Sequence, residues 1–230
     1  DDETEFHCPG GASFYGHYFA CWRKGGHGGI TLHRAIVQSC DVFFYNVGNR
    51  LGIDRLAHYA QLMGLGGKTG VDLPNEHAST MPSTHWKMRN FRQKWYAGET
   101  ISVAIGQGAV TVSPLLLASA IGGLSVGGRW YRPFMVKGAQ PVLLRDGHLN
   151  PDNVQKVIAG MYGVVNEGGT GHGAALPNIK VCGKTGTAQL VATEKMKALH
   201  LKNNAWFVGF APEEHPEVVV VALFENGEEG

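Results

Sequence analysis

Gly183-Lys184-Thr185-Gly186-Thr187-Ala188 interrupts a strand pattern that runs from Ile179 to Gln189. Those six residues, with one lysine, two threonines and two glycines, offer a cation, hydroxyl donors and approachable backbone N–H groups along one edge. These groups suit an anionic substrate terminus held beside a carbonyl oxygen that is gaining charge. Two more strand patterns follow, Ala205 to Ala211 and Val218 to Glu225, while most helical patterns come earlier. Helices first and antiparallel strands last predict an α+β fold, its sheet supplied largely by the C-terminal third. The tetrapeptide also occurs as Gly67-Lys68-Thr69-Gly70, in a turn after a helix and before Val71-Asp72-Leu73-Pro74. Neither copy fits a phosphate-binding loop, which needs glycine five positions before its Gly-Lys pair. Leu62 and Asn178 stand there.

Moving outward, Thr31 opens an apolar-periodic stretch through Leu32, Ala35 and Ile36, and a second begins at Val42, Phe43 and Phe44 and ends at Gly52. The pattern predicts two helices with a break at Ser39-Cys40-Asp41. Ile53 to Met63, Ser113-Pro114 through Val126, and Asn153 to Asn166 read as further helices, and Arg129 to Val136 as a strand. Residues 66–110 carry turn dipeptides and short periodic pieces only. The chain therefore divides into a Gly/Cys/His-rich loop segment over residues 1–30, a mainly helical part over 31–127 and a sheet-containing part over 128–230.

Glycine makes up 33 of the 230 residues, about twice the usual share of roughly 7%. With 43% apolar residues and a formal net charge of +1, the chain lies far from the composition of disordered segments. No basic stripe is present, which argues against nucleic acid as a partner. The longest apolar run, Val218 to Phe224, has seven residues, against about 20 needed to cross a bilayer. No membrane segment is expected within this chain.

Residues two apart on a regular helix do not share a face, so Ser39 and Asp41 can address one cleft only if the helix breaks between them. Ser-x-Asp at a helix junction, followed 145 residues later by Lys-Thr-Gly-Thr on a strand, resembles the penicillin-binding protein and serine β-lactamase family. Trp22 to Gly28, Leu51 to Leu56, Thr69 to Pro74, Gly106-Gln107-Gly108 with Ser113-Pro114, Gly168 to Gly171, Lys184 to Gln189 and Glu225-Asn226-Gly227 narrow the resemblance to class B members. Among these it is closest to the monofunctional D,D-transpeptidases of cell elongation.

The resemblance implies a periplasmic enzyme at the inner membrane, anchored by an upstream helix and acting on peptidoglycan stem peptides. It further implies inhibition by β-lactams and a partner glycosyltransferase. Ser39 would belong to the proton-transfer network, Asp41 would take the position where many members have Asn, and Lys184 would supply positive potential. Thr185 and Thr187 would bind the terminal carboxylate, the Thr187 N–H would form half of an oxyanion hole, and Gly186 would keep that edge open. No cofactor is implied for the chemistry. The family's nucleophile is the serine of Ser-x-x-Lys, and none of the eight serines here has lysine three residues on. The expectation is a C-terminal fragment of a transpeptidase domain whose nucleophile lies before Asp1, inactive alone. Two other readings stay open, a serine β-lactamase or penicillin sensor and a catalytically silent structural domain.

Cys8, Cys21, His27 and Cys40 all fall in or beside the glycine-rich segment, which lacks a core of its own. Three thiolates and one imidazole suit a tetrahedral structural zinc site. A Cys8–Cys21 disulfide, or unlinked thiols, are the competing expectations, with His7, His17 and His33 as substitute ligands. Cys182 is expected as a small core residue.

Overall fold

The computed structural model describes residues 3–189 and 202–227. Its centre is a three-stranded antiparallel sheet of β7 (Cys182–Ala188), β8 (Asn204–Ala211) and β9 (Val218–Phe224), in that order. Register places Lys184 opposite Val208, Thr185 opposite Phe207 and Thr187 opposite Ala205. Because side chains alternate between faces, Cys182 and Lys184 share one face, and Thr185 and Thr187 share the other.

Behind the Cys182 face lie α6 (Pro114–Ser125) and α7 (Pro151–Asn166). Leu124, Val154, Ile158 and Met161 pack there against Cys182 and Phe210, so Cys182 is a small core residue as expected. Both helices begin as their sequences direct. Ser113 accepts a hydrogen bond from the Leu116 N–H and Asn150 from those of Asp152 and Asn153, each with proline in the first turn.

The short helix α1 (Leu32–Val37) crosses α7 at Gly160. A Cβ there would come within 2.8 Å of Ile36, so glycine lets the two backbones approach. Ile36, Val164, Val165 and Val181 form the joint between α1, α7 and the sheet. This packing holds the end of α1 beside β7. Next, α2 (Asp41–Leu51) starts at the break that the split apolar pattern predicts, and α3 (Ile53–Leu62) follows it after Gly52.

Four departures from the sequence reading are local. Residues 1–30 contain four short strands, β1 (Phe6–Cys8) paired with β4 (Gly28–Ile30) and β2 (Gly11–Phe14) paired with β3 (His17–Ala20). At three or four residues each, they are too short to show alternation. The 66–110 stretch holds α4 (Thr84–Phe91) and α5 (Ala97–Val103), joined by the buried Lys87 ammonium, which donates to Glu99 and lies over the ring of Tyr96 at 4.7 Å. The strand expected to reach Val136 stops at Tyr131, before Pro133, and pairs as β5 (Arg129–Tyr131) with an unanticipated β6 (Leu143–Asp146). The KTG-bearing strand is also shorter than read, starting at Cys182 rather than Ile179.

Candidate active site

Ser39 is the hinge between α1 and α2. Its φ of +53° is left-handed, which turns the chain so that Cys40 can cap α2 with extended backbone and Asp41 can open its first turn. The turn is tied at 3.0 Å by the Cys40 N–H donating to Ala35 O. One residue in that conformation replaces the regular helix in which positions 39 and 41 would diverge.

The ammonium of Lys184 donates to Ser39 Oγ at 2.8 Å and to the carbonyl of Thr185 at 2.9 Å. Burial pulls the Lys184 pKa down to about 8, against the opposing pull of the Asp41 charge. Lysine donates and cannot accept, so Ser39 Oγ is the acceptor and its own proton is left to point elsewhere. Asp41 is pushed up to about 6 by burial, although the Trp22 N–H donates to its carboxylate at 2.9 Å and lowers it.

On the other face of β7, Thr185 Oγ1 and Thr170 Oγ1 are 2.7 Å apart. Thr170 comes from the Gly168-Gly169-Thr170-Gly171 turn after α7. A shallow recess of about 370 Å³ opens beside it, lined by Thr170, Thr185, Phe207, Ala222 and Phe224 among others. Thr187 is exposed at the edge, and its carbonyl accepts a hydrogen bond from Gln107 Nε2 at 2.8 Å. A Cβ on Gly186 would meet Trp206 at an ordinary 3.5 Å, whereas one on Gly183 would strike Phe207 at 2.6 Å. Packing therefore explains Gly183 and does not explain Gly186.

The structure brings Ser39, Asp41 and Lys184 together, with Thr185, Gly186 and Thr187 following along the same strand. Sequence reasoning passed over Trp22, Thr170 and Gln107. All three lie inside motifs it quoted, but the contacts that give them a place, up to 82 residues long for Gln107, have no periodic or compositional signature. Trp22 also donates its indole N–H to the carbonyls of Gln38 and Ser39, at 3.1 and 2.9 Å.

Beside this site, Cys8, Cys21, His27 and Cys40 converge with one ligand atom each, all within 4.8 Å of one another. The thiols of Cys8 and Cys21 both lie 3.6 Å from His27 Nδ1. All four cysteines are unlinked, so the Cys8–Cys21 disulfide is not formed. The Cys21 thiol is drawn down by its hydrogen bond with Cys40, and Cys40 is pushed up by the same bond and by burial. His7, His17 and His33 lie outside the cluster; His33 instead meets Glu167 at 2.8 Å.

Among curated proteins, the chain is 39% identical to the peptidoglycan D,D-transpeptidase MrdA of Acinetobacter baumannii, an alignment that covers 100% of this chain and 36% of that protein. The chain thus spans about a third of the length of such relatives. Of solved structures, the penicillin-binding protein PBP2 of Helicobacter pylori superposes with a TM-score of 0.89 at 34% identity, over 100% of this chain and 42% of that one. The Helicobacter pylori PBP2 complex with MreC matches equally well, at 0.89 and 34%, over 99% and 42%. The model of the penicillin-binding protein transpeptidase domain matches residues 1–230. A match that leaves no residue outside it makes this chain a member of the penicillin-binding protein transpeptidase domain family.

Proposed function

We propose that this chain is the Lys-Thr-Gly-bearing part of a peptidoglycan D,D-transpeptidase of the elongation type. The observation that carries this reading is the 2.8 Å bond from Lys184 to Ser39 across 145 residues, beside a strand edge of threonine hydroxyls and backbone N–H groups. In the intact enzyme, Thr185 and Thr187 bind the terminal carboxylate of a D-Ala-D-Ala stem peptide in the positive potential of Lys184. The Thr187 N–H polarises the scissile carbonyl. A serine of a Ser-x-x-Lys motif, supplied by sequence beyond this chain, attacks the carbonyl carbon, and the C–N bond to the last D-Ala breaks. Ser39, held as acceptor by Lys184, gives its own proton to the leaving amine and regains one from the attacking serine. The amine of a neighbouring stem then takes the acyl group. β-Lactams enter by the same route and stay bound as acyl-enzyme.

The same reading places the protein at the periplasmic face of the inner membrane, anchored upstream, with a glycosyltransferase as partner. The PBP2–MreC complex of Helicobacter pylori supports a scaffold partner as well. Labelling with a fluorescent penicillin tests the chemistry. The full-length protein is expected to label and its Lys184→Ala variant to lose labelling, while this chain alone, which has no Ser-x-x-Lys, stays dark. Labelling of the chain alone would overturn the assignment of the nucleophile.

We also infer that Cys8, Cys21, His27 and Cys40 hold a structural zinc ion. Zn–S and Zn–N bonds of about 2.3 and 2.0–2.1 Å imply a tetrahedral S···N edge of about 3.6 Å, the separation found from His27 Nδ1 to two of the thiols. The ion would tie the β1–β4 loops to Cys40, the cap of α2, and so would steady Ser39 and Asp41 on either side of it. Metal analysis of freshly purified protein should give one zinc per chain, reduced to well under half in Cys8→Ser. A ratio near zero in the parent would overturn the site.

A further inference from the structure

The Gly106-Gln107-Gly108 turn does more than connect α5 to α6. Both glycines are left-handed, at φ +76° and +77°, and the turn is pinned by the Gly106 N–H on Val103 O at 2.9 Å and the Gln107 N–H on Ser102 O at 3.0 Å. Gln107 is thus held at the apex with its side chain reaching β7. Nε2 donates to Thr187 O at 2.8 Å and Oε1 accepts from the Gln189 N–H at 3.3 Å.

A carbonyl and the N–H two residues further on are the pair that one residue of an added parallel strand engages. Among the described residues β7 is an outer strand of its sheet, with β8 on one side and no strand on the other. The Gln107 carboxamide therefore stands in for a strand partner on the edge where an extended peptide would be received.

We infer that Gln107 is a placeholder for the acyl-donor peptide, an inference that rests on the transpeptidase reading. In the free protein its carboxamide keeps the Thr187 carbonyl satisfied. It leaves that carbonyl when a backbone N–H of the stem peptide, or the acylamino N–H of a penicillin or cephalosporin, takes over the bond. The exchange is one hydrogen bond for another, so it costs little for a ligand that brings the N–H. A β-lactam without an acylamino group gains nothing there and leaves Gln107 in place. Gln107 is in this sense a specificity-determining residue that competes with substrate.

The test measures acylation of the full-length protein by two β-lactams, one with an acylamino side chain and one with a hydroxyalkyl group in its place, and separates the binding constant from the acylation rate constant. In Gln107→Ala the acylamino compound should bind about five-fold more tightly, the worth of one net hydrogen bond, with its acylation rate constant unchanged. The hydroxyalkyl compound should be unaffected in both. Gln107→Glu keeps the size and removes the donor, and it should shift the same way, which covers the case in which alanine loosens the turn. Equal shifts for both compounds, or none for either, would overturn the inference and make Gln107 a strand latch or a bystander. Failure of the parent protein to react with either β-lactam would instead sink the transpeptidase reading, and this inference with it.

Discussion

Gly-Lys-Thr-Gly occurs twice in this chain, and its two settings have little in common. At residues 67–70 it forms a turn. Thr69 is buried and gives its N–H and hydroxyl to the Glu76 carboxylate, at 2.6 and 2.7 Å, and the Gly70 N–H joins them at 3.0 Å. Lys68 is exposed, and Gly70 has a φ of +75° that calls for glycine. At residues 183–186 the same letters lie on an outer strand. There the lysine turns inward to Ser39, the threonine meets Thr170, and the last glycine needs no unusual backbone. Thr69 satisfies the fold's own hydrogen bonds, whereas Thr185 borders the recess beside Thr170 and Thr187 is exposed at the strand edge. Among the described residues, only the second copy combines a strand edge without a neighbouring strand and a lysine turned inward to a serine hydroxyl.

The sharpest way to break this comparison is to remove each lysine in turn. Lys184→Ala in the full-length protein should lower β-lactam acylation by about 10²–10³-fold, the usual loss for a preorganised charge-stabilising group. Lys68→Ala should change it by less than about two-fold, and a comparable loss from both would erase the distinction. A second measurement uses pH. With its pKa pulled down to about 8, Lys184 loses its charge as pH rises, so capture of an anionic β-lactam should fall about ten-fold by pH 9. Stability moves the other way. Between about 8 and the ordinary lysine value the unfolded chain binds the extra proton, so the stability contribution of Lys184 rises with pH across that window. Acylation and melting temperature that fall together from pH 7.5 to 9 would contradict this assignment.

Smaller effects sharpen the turn copy. Glu76→Ala leaves the buried Thr69 hydroxyl without its acceptor, and should cost about 1–3 kcal/mol in chemical denaturation while leaving acylation rates intact. Gly70→Ala forces an L-residue to positive φ and should cost about 1 kcal/mol. Gly186→Ala should be nearly neutral for stability, since its Cβ meets only an ordinary contact, yet it should slow acylation several-fold by narrowing the edge. A large stability loss from Gly186→Ala, with acylation unchanged, would reverse the roles of the two copies.

The sequence was most informative where one residue type answers one physical demand. Serine and proline at 113–114 mark a helix start, and the gap between Ile36 and Val42 marks the hinge that lets both Ser39 and Asp41 act on Lys184. Lys184 was legible because it stands with two threonines and two glycines in one strand pattern, 145 residues after Ser-x-Asp. The strands of residues 1–30 were not, since three or four residues cannot display a period and their cohesion comes from a core shared with Cys40, Phe43 and Tyr45 of the α2 region. Nor were α4 and α5. The mean hydropathy of α4 is low, and its anchor is Lys87, a charge that reads as surface until Glu99 and Tyr96 are seen around it. Trp22, Thr170 and Gln107 depend wholly on contacts between distant segments.

The left-handed backbone at Ser39 limits which amino acids can stand there. Glycine accepts φ +53° more easily but has no hydroxyl for Lys184 to hold. Asparagine and aspartate tolerate the conformation yet offer no hydroxyl proton to pass on at neutral pH. Threonine has the hydroxyl, but its branched Cβ makes positive φ a true outlier. A saturation library at position 39, selected for activity, is therefore expected to return serine alone. Selected only for folding, it should return glycine, asparagine and aspartate beside it, and the gap between the two sets would count how many residue types the chemistry removes from those the backbone allows.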